Sequence, residues 1–273
     1  MERRRSFVLF NLDEIEMPDP VTKEEMRNAL MGMYWCRDDL SFQIPSIGDA
    51  KKAAKVFEKN LVEITWNCMS SLEKNPTTLP QTATILKGQS VAGISIDDLM
   101  QVKNYGDAAK VMVKMVECGE FDLNEETCCR IHALSGREDA LDWGMFRYAN
   151  VSIRGVGYEP PHFADLQDIA RKGFAFLKER IEDPKERAIA AFLFMSRAQF
   201  FFDANKRTAS IVMNGMLLRA GFFPIAVLNR DSEEFHERLG EFYESGDATQ
   251  MMKFFEKSVQ DLYDPPRQNV IEE

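Results

Sequence analysis

Asp183-Pro-Lys-Glu186 is a strong helix start in this 273-residue chain, and the helix it opens constrains the fold. A side-chain oxygen at the N-cap, a proline at the first helical position, where its missing N–H is not needed, and a glutamate at the third together specify entry into a helix. That helix, Pro184 to Ala198, is almost wholly apolar on its inner side through Ile189, Phe192, Leu193 and Met195. Such a helix is stable only when other helices surround it. It delivers the chain to the run Gln199-Phe-Phe-Phe-Asp-Ala-Asn-Lys-Arg-Thr208. A second helix, from about Arg207 to Ala220, ends at Gly221 with Pro224 just beyond, the order that a glycine stop and a trailing proline predict. A central unit of helix, short polar loop and helix is therefore expected.

Elsewhere apolar residues recur at helical spacing almost throughout. Ala53, Val56, Phe57, Leu61, Ile64, Cys68 and Leu72 make one stripe, and Leu99, Val102, Ala109, Met112, Val113 and Val116 another. A third, from Phe163 to Leu177, stops before Asp183, and two further helices are opened by Ser232 and Asp247. The one interruption is Met145 to Gly155, where β-branched and aromatic residues alternate with polar ones, the pattern of a short hairpin. Residues 1–80 are expected to form a helical N-terminal extension with a Pro- and Thr-rich joint at Asn75 to Pro80, residues 81–262 the main domain, and residues 263–273 a disordered tail.

The net charge of −10 argues against a general binder of nucleic acid, whose affinity rests on neutralising phosphates with Lys and Arg. The five cysteines are odd in number and lack paired CxxC spacing, so neither a disulfide framework nor a zinc site is indicated. The run Phe7 to Phe10 behind the basic N-terminus is too short for a signal-peptide core, and no later segment approaches a membrane span. A cytoplasmic location is expected.

The turn that leads into the helix at Arg207 is a natural anion site, because a helix N-terminus presents N–H groups without intrahelical partners and the positive end of a dipole. Asp203 supplies a hard oxygen ligand suited to a Mg²⁺ that keeps most of its waters and bridges two phosphates. Asn205 has an amide to donate to a phosphate oxygen, and Arg207 a planar fork for a bidentate contact. The alternative is that Asp203 and Asn205 are turn and capping residues and Arg207 a surface ion-pair partner.

The run resembles the active-site loop of the Fic/Doc (Fido) family, His-Pro-Phe-x-Asp/Glu-Gly-Asn-Gly/Lys-Arg. Laid on that pattern, Gln199 stands at the catalytic His, Phe201 at the buried aromatic, and Asp203, Asn205 and Arg207 at the three polar positions. Ala204 and Lys206 match the Doc-type branch, which has Ala-Asn-Lys where the adenylyltransferases have Gly-Asn-Gly. The resemblance covers roughly Thr82 to Lys257. It implies a mostly α-helical Fic-fold bundle with a short β-hairpin flap at 145–155 that pairs with an extended segment of a target protein. It also implies ATP and Mg²⁺ as cofactors, Asp203 as the metal ligand, and transfer of AMP to a hydroxyl of that target. Two alternatives accompany it. Lys206 points to the Doc-like geometry, in which phosphate is transferred, and Gln199 points to a non-catalytic regulatory module. Homo-oligomerisation is left open.

Two departures from the pattern carry expectations. In the family the His takes the proton of the target's hydroxyl, and a carboxamide has no pKa that would let it do so. Losing a general base costs roughly 10²–10⁴ in rate. His132 and His162 are the candidates for a displaced base. The second departure concerns the inhibitory segment Ser/Thr-x-x-x-Glu-Gly/Asn, whose Glu pairs in many members with a second Arg three residues after the loop Arg. The best local match, Ala83 to Gly88, has Lys87 where the Glu should be, and Ser210 stands at the second Arg. Glutamate-type autoinhibition is therefore not expected, and Lys87 is a candidate nucleotide ligand.

Overall fold

The computed structural model describes residues 20–38 and 40–263. Phe7 to Phe10 and the tail from Asp264 onward lie outside the described residues. Eleven α-helices account for most of the described chain: α1 Lys23–Ala29, α2 Ala50–Lys59, α3 Leu61–Glu73, α4 Leu79–Leu86, α5 Ile96–Cys118, α6 Glu125–Ser135, α7 Leu166–Arg180, α8 Pro184–Ala198, α9 Asn205–Arg219, α10 Ser232–Ser245 and α11 Thr249–Tyr263. The only β pairing among the described residues is two isolated bridges, Tyr34 with Asp247 and Ser46 with Phe222. The mostly α-helical fold is as expected.

The expected start of α8 is present, with the Asp183 carboxylate accepting from the Lys185 N–H and Pro184 in the first turn. Twelve of the fifteen residues of α8, and twelve of the fifteen of α9, are buried. These two helices pack on each other, and α2, α3, α5 and α6 close around α9. Gly173 lets α7 approach α8: a Cβ there would stand 2.2 Å from Cζ of Phe194. The apolar stripe from Ala53 to Leu72 is cut into α2 and α3 at Asn60, which caps α2 with its own N–H while its side-chain amide donates to the Val56 carbonyl.

The first described residues share this core. Trp35 is fully buried, and its indole N–H donates to Oε1 of Glu186 at 2.8 Å. Arg37 grips the same carboxylate with Nε at 2.8 Å and its terminal nitrogen at 2.9 Å.

The hairpin expected at Met145 to Gly155 does not form: no strand ladder is present there. Arg147, one of the polar residues of that alternation, is instead turned inward and is 2% exposed. Its backbone N–H donates to the Phe200 carbonyl, and its guanidinium to the carbonyls of Gln199, Ala149 and Pro161. Phe146 stacks on Phe200 with centroids 4.7 Å apart. Arg147 and Phe146 thus hold the start of the segment against the loop after α8.

Candidate functional site

The loop between α8 and α9 is bracketed by two non-glycine residues in the left-handed region, Gln199 (φ 48°) and Ala204 (φ 56°). Each conformation costs about 1–2 kcal/mol. Burial of Phe200 and Phe201, both 1% exposed, returns about 1.5–3 kcal/mol apiece and outweighs that strain.

The loop's carbonyls are tied back into the protein. Gln199 O accepts from Arg147 Nε at 2.6 Å, Phe200 O from the Arg147 N–H, Phe201 O from Asn205 Nδ2 at 2.9 Å, and Asp203 O faces His132 Nε2 at 3.2 Å. The N–H groups of Asn205, Lys206 and Arg207, the first three of α9, meet no acceptor among the described residues. With carbonyls behind and N–H groups in front, the turn presents a positive edge.

That edge floors a cleft of about 550 Å³, walled by residues 152–156, Glu73 at the end of α3, and His236, Glu237, Gly240 and Tyr243 of α10. Its size suits a nucleotide. A larger groove of about 760 Å³ lies along α7. It contains no loop residue, and its cations are already paired, Arg171 with Asp168 and Lys178 with Asp122.

Five of the residues singled out in the sequence, Gln199, Asp203, Ala204, Asn205 and Lys206, line the cleft. The Asp203 side chain is 58% exposed. Only its Oδ1 is engaged, with the Ala204 N–H and, at 3.5 Å, Arg207, so Oδ2 is open to the cleft. One open carboxylate fits a Mg²⁺ that completes its shell with water and phosphate oxygens. No group of three or more metal-ligating side chains exists among the described residues, so nothing here resembles an all-protein cage.

The other polar residues are engaged differently from expectation. Asn205 is 6% exposed and its amide is spent on the loop, taking the Phe201 N–H on Oδ1 and donating to Phe201 O and to Gln199 Oε1. It shapes the turn and has no N–H left for a phosphate. Gln199 caps α8: its Nε2 donates to the Ser196 carbonyl at 2.7 Å while Oε1 accepts from Asn205. Arg207 is 1% exposed and surrounded by Asp139 at 2.5 Å, the Ser135 carbonyl at 3.0 Å, Asp203 at 3.5 Å and Glu73 at 3.6 Å. The two residues that sequence reasoning missed are Glu73 and Asp139, ion partners distant in sequence that leave no local signal.

Lys87 is not brought to the site. It is the exposed C-cap of α4 and does not line the cleft. Glu73 corrects the expectation drawn from Lys87, because a carboxylate does stand beside the loop cations, 3.6 Å from Arg207 Nε and 3.9 Å from Lys206 Nζ. Ser210 is buried and joined to Tyr105 OH at 3.2 Å.

Neither histidine is placed as a base. His162 is an exposed cap on a 3₁₀ turn, accepting from the Ala164 N–H, and lies off the cleft lining. His132 is fully buried, and burial, with the Arg207 charge acting in the same direction, pulls its pKa from 6.5 to about 4.

Residues 122–217 match the model of the Fic/DOC family. The protein adenylyltransferase Fic of Aedes aegypti is 26% identical over 237 residues, which is 83% of this chain and 46% of that protein. The protein of the same name from Drosophila melanogaster is 27% identical over 202 residues, 70% of this chain and 40% of that protein. The chain thus spans less than half the length of these curated relatives. Among solved structures, Fic-1 (residues 134–508) from C. elegans superposes with a TM-score of 0.65 at 19% identity, covering 78% of this chain and 67% of that one. A Fic domain containing signaling protein from Bacteroides thetaiotaomicron gives 0.60 at 18%, covering 77% and 90%.

Proposed function

On the premise that this chain carries a Fic/DOC-family domain, we propose that its cleft binds Mg·ATP and that transfer of AMP from it to a protein hydroxyl is slow or silent. The observation that carries the binding half is the free edge of α9, where Asn205 and Lys206, both with unpaired N–H groups, line the cleft beside the open Asp203 carboxylate. In this reading the phosphates sit on that edge with Lys206 beside them, and Asp203 holds a hydrated Mg²⁺ that offsets their charge. Arg207 acts from beneath the floor, as a buried cation tied to the loop's own carboxylates.

The second half rests on Gln199. When a hydroxyl oxygen bonds to the α-phosphorus and pyrophosphate leaves, the hydroxyl proton needs an acceptor. The Gln199 carboxamide is not basic, and both its ends are already bonded. Its engagement favours a nucleotide-dependent binding module over a working enzyme. Phosphate transfer in the Doc manner is a variant of the same reading, favoured by Lys206.

The target's docking segment is assigned to residues 145–155. Ile153, Arg154 and Gly155 wall the cleft, Met145 and Tyr148 of the same segment are 48% and 50% exposed, and Tyr148 packs edge-on against Phe202 of the cleft lining. No helix among the described residues is long and apolar enough to cross a membrane. Calorimetry with Mg·ATP on native, Asp203→Ala and Lys206→Ala protein tests the binding half. Saturable binding weakened by both substitutions supports it, and no binding to native protein overturns it. Labelled ATP with candidate target proteins, native and Gln199→His side by side, tests the other half.

A further inference from the structure

His132 makes three directed contacts, and two of them end on the loop. Its ring lies flat on Phe201, centroids 3.8 Å apart and planes 10° apart. The Gly144 N–H points at Nδ1 at 3.0 Å, and Nε2 faces the Asp203 carbonyl at 3.2 Å. An N–H donor requires a lone pair, so Nδ1 is bare. A carbonyl accepts only, so the ring's single proton is on Nε2. The partners fix both the neutral form and the tautomer.

The seat for this ring is built by two glycines. A Cβ on Gly136 would stand 2.3 Å from His132 Nε2, so only a residue without one leaves room for that edge. Gly144 presents its N–H from a left-handed conformation (φ 81°), pressed so close to α6 that a Cβ would lie 3.0 Å from that of Ala133.

We propose that His132 is a positioning residue for the phosphate loop: its Nε2–H holds the Asp203 carbonyl back and thereby keeps the Asp203 carboxylate turned to the cleft and the Arg207 N–H outside the helical ladder. Released, that carbonyl is the natural i−4 acceptor for the Arg207 N–H. One more helical bond would then extend the α9 ladder back to Asp203 and shift the residue whose carboxylate faces the cleft. The proposal rests on the loop being a nucleotide site, and its test begins in the ligand-free protein so that the two fail separately.

The ¹⁵N spectrum of the native imidazole reports which nitrogen carries the proton, and it needs no variant. Three substitutions then divide the side chain's contacts. His132→Phe keeps the stack alone, His132→Asn keeps an acceptor where Nδ1 stood, and His132→Gln puts an amide N–H where Nε2 stood. The expected result is an Nε2–H tautomer, faster amide exchange over 199–207 in the Phe and Asn variants, and recovery toward native exchange in the Gln variant. Mg·ATP affinity should fall about three- to tenfold in Phe and Asn, the worth of one hydrogen bond, and by no more than about twofold in Gln. An Nδ1–H tautomer, loop exchange equal in all four proteins, or recovery by Asn and not by Gln would overturn the proposal. If native protein binds no Mg·ATP, the proposed function fails while the tautomer and exchange measurements still decide this one.

Discussion

Oε1 of Glu73 stands 3.6 Å from Nε of Arg207, near enough for charge attraction, while Nε itself has no hydrogen-bond partner. The guanidinium is 1% exposed, and the three carboxylates of Glu73, Asp139 and Asp203 face it. Together with Lys206 the group carries two positive charges against three negative. A phosphate on the free N–H edge of α9 therefore shares the cleft with the Glu73 carboxylate.

Replacing Glu73 by Gln removes that repulsion and keeps the shape. Mg·ATP affinity should rise about three- to tenfold, a change of roughly 0.7–1.4 kcal/mol at a partly screened site. Titration calorimetry of native and variant protein checks it. Unchanged or weaker binding would mean that Glu73 is a support for Arg207 and not a competitor of phosphate.

Restoring a base should restore turnover. Gln199→His is expected to raise the rate of label transfer to a target protein by about one to three orders of magnitude. Asn205 Nδ2, which now donates to Gln199 Oε1, is free to donate to an unprotonated imidazole nitrogen and orient it. Native activity with no gain on substitution would show another base at work.

His132 should make stability fall in acid. Its pKa, held down by burial, is about 4 in the folded protein against an ordinary 6.5. Between those values the unfolded chain takes up a proton that the folded one refuses, so stability is full above about pH 6.5 and is lost as the pH falls toward 4. The loss approaches about 3 kcal/mol. Urea midpoints followed from pH 7 to 4 should show a slope that is shallower in His132→Gln.

Arg147 should be costly to remove. Arg147→Met keeps much of the stem's volume and strips donors from the carbonyls of Gln199, Ala149 and Pro161, a loss of about 2–4 kcal/mol. The urea midpoint should drop accordingly, and protease cutting should appear first at residues 145–161.

How much of this was legible in the sequence depended on how local the cause was. The start of α8 is written in four consecutive residues, Asp183 to Glu186, and lies where those residues put it. The start of α9 lies two residues earlier than periodicity indicates, because Ala204 in a left-handed turn brings Asn205 into the first turn. The alternation from Met145 to Gly155 misled because it cannot show that one of its polar residues, Arg147, points inward. The loop between α8 and α9 was legible as a motif, but the use of its side chains was not. Asn205 and Gln199 satisfy each other, and Arg207 is held by Asp139 and Glu73 from helices or turns far off in sequence. Long-range ion pairs follow no period, so the local match at Ala83 to Gly88 points to Lys87 and nothing local points to Glu73.

The grip of Trp35 and Arg37 on Glu186 bears on how the chain can be dissected. Glu186 lies in the first turn of α8, the helix whose other end supplies Gln199. Replacing Trp35 by Phe and Arg37 by Met in the full chain would leave the buried Glu186 carboxylate without its indole and guanidinium, a cost of about 3–5 kcal/mol and a large part of a domain's whole margin. Residues 20–38 are in this sense the far anchor of the helix that leads into the loop, and a minimal fragment has to be drawn by what holds its charges, not by where its motif begins.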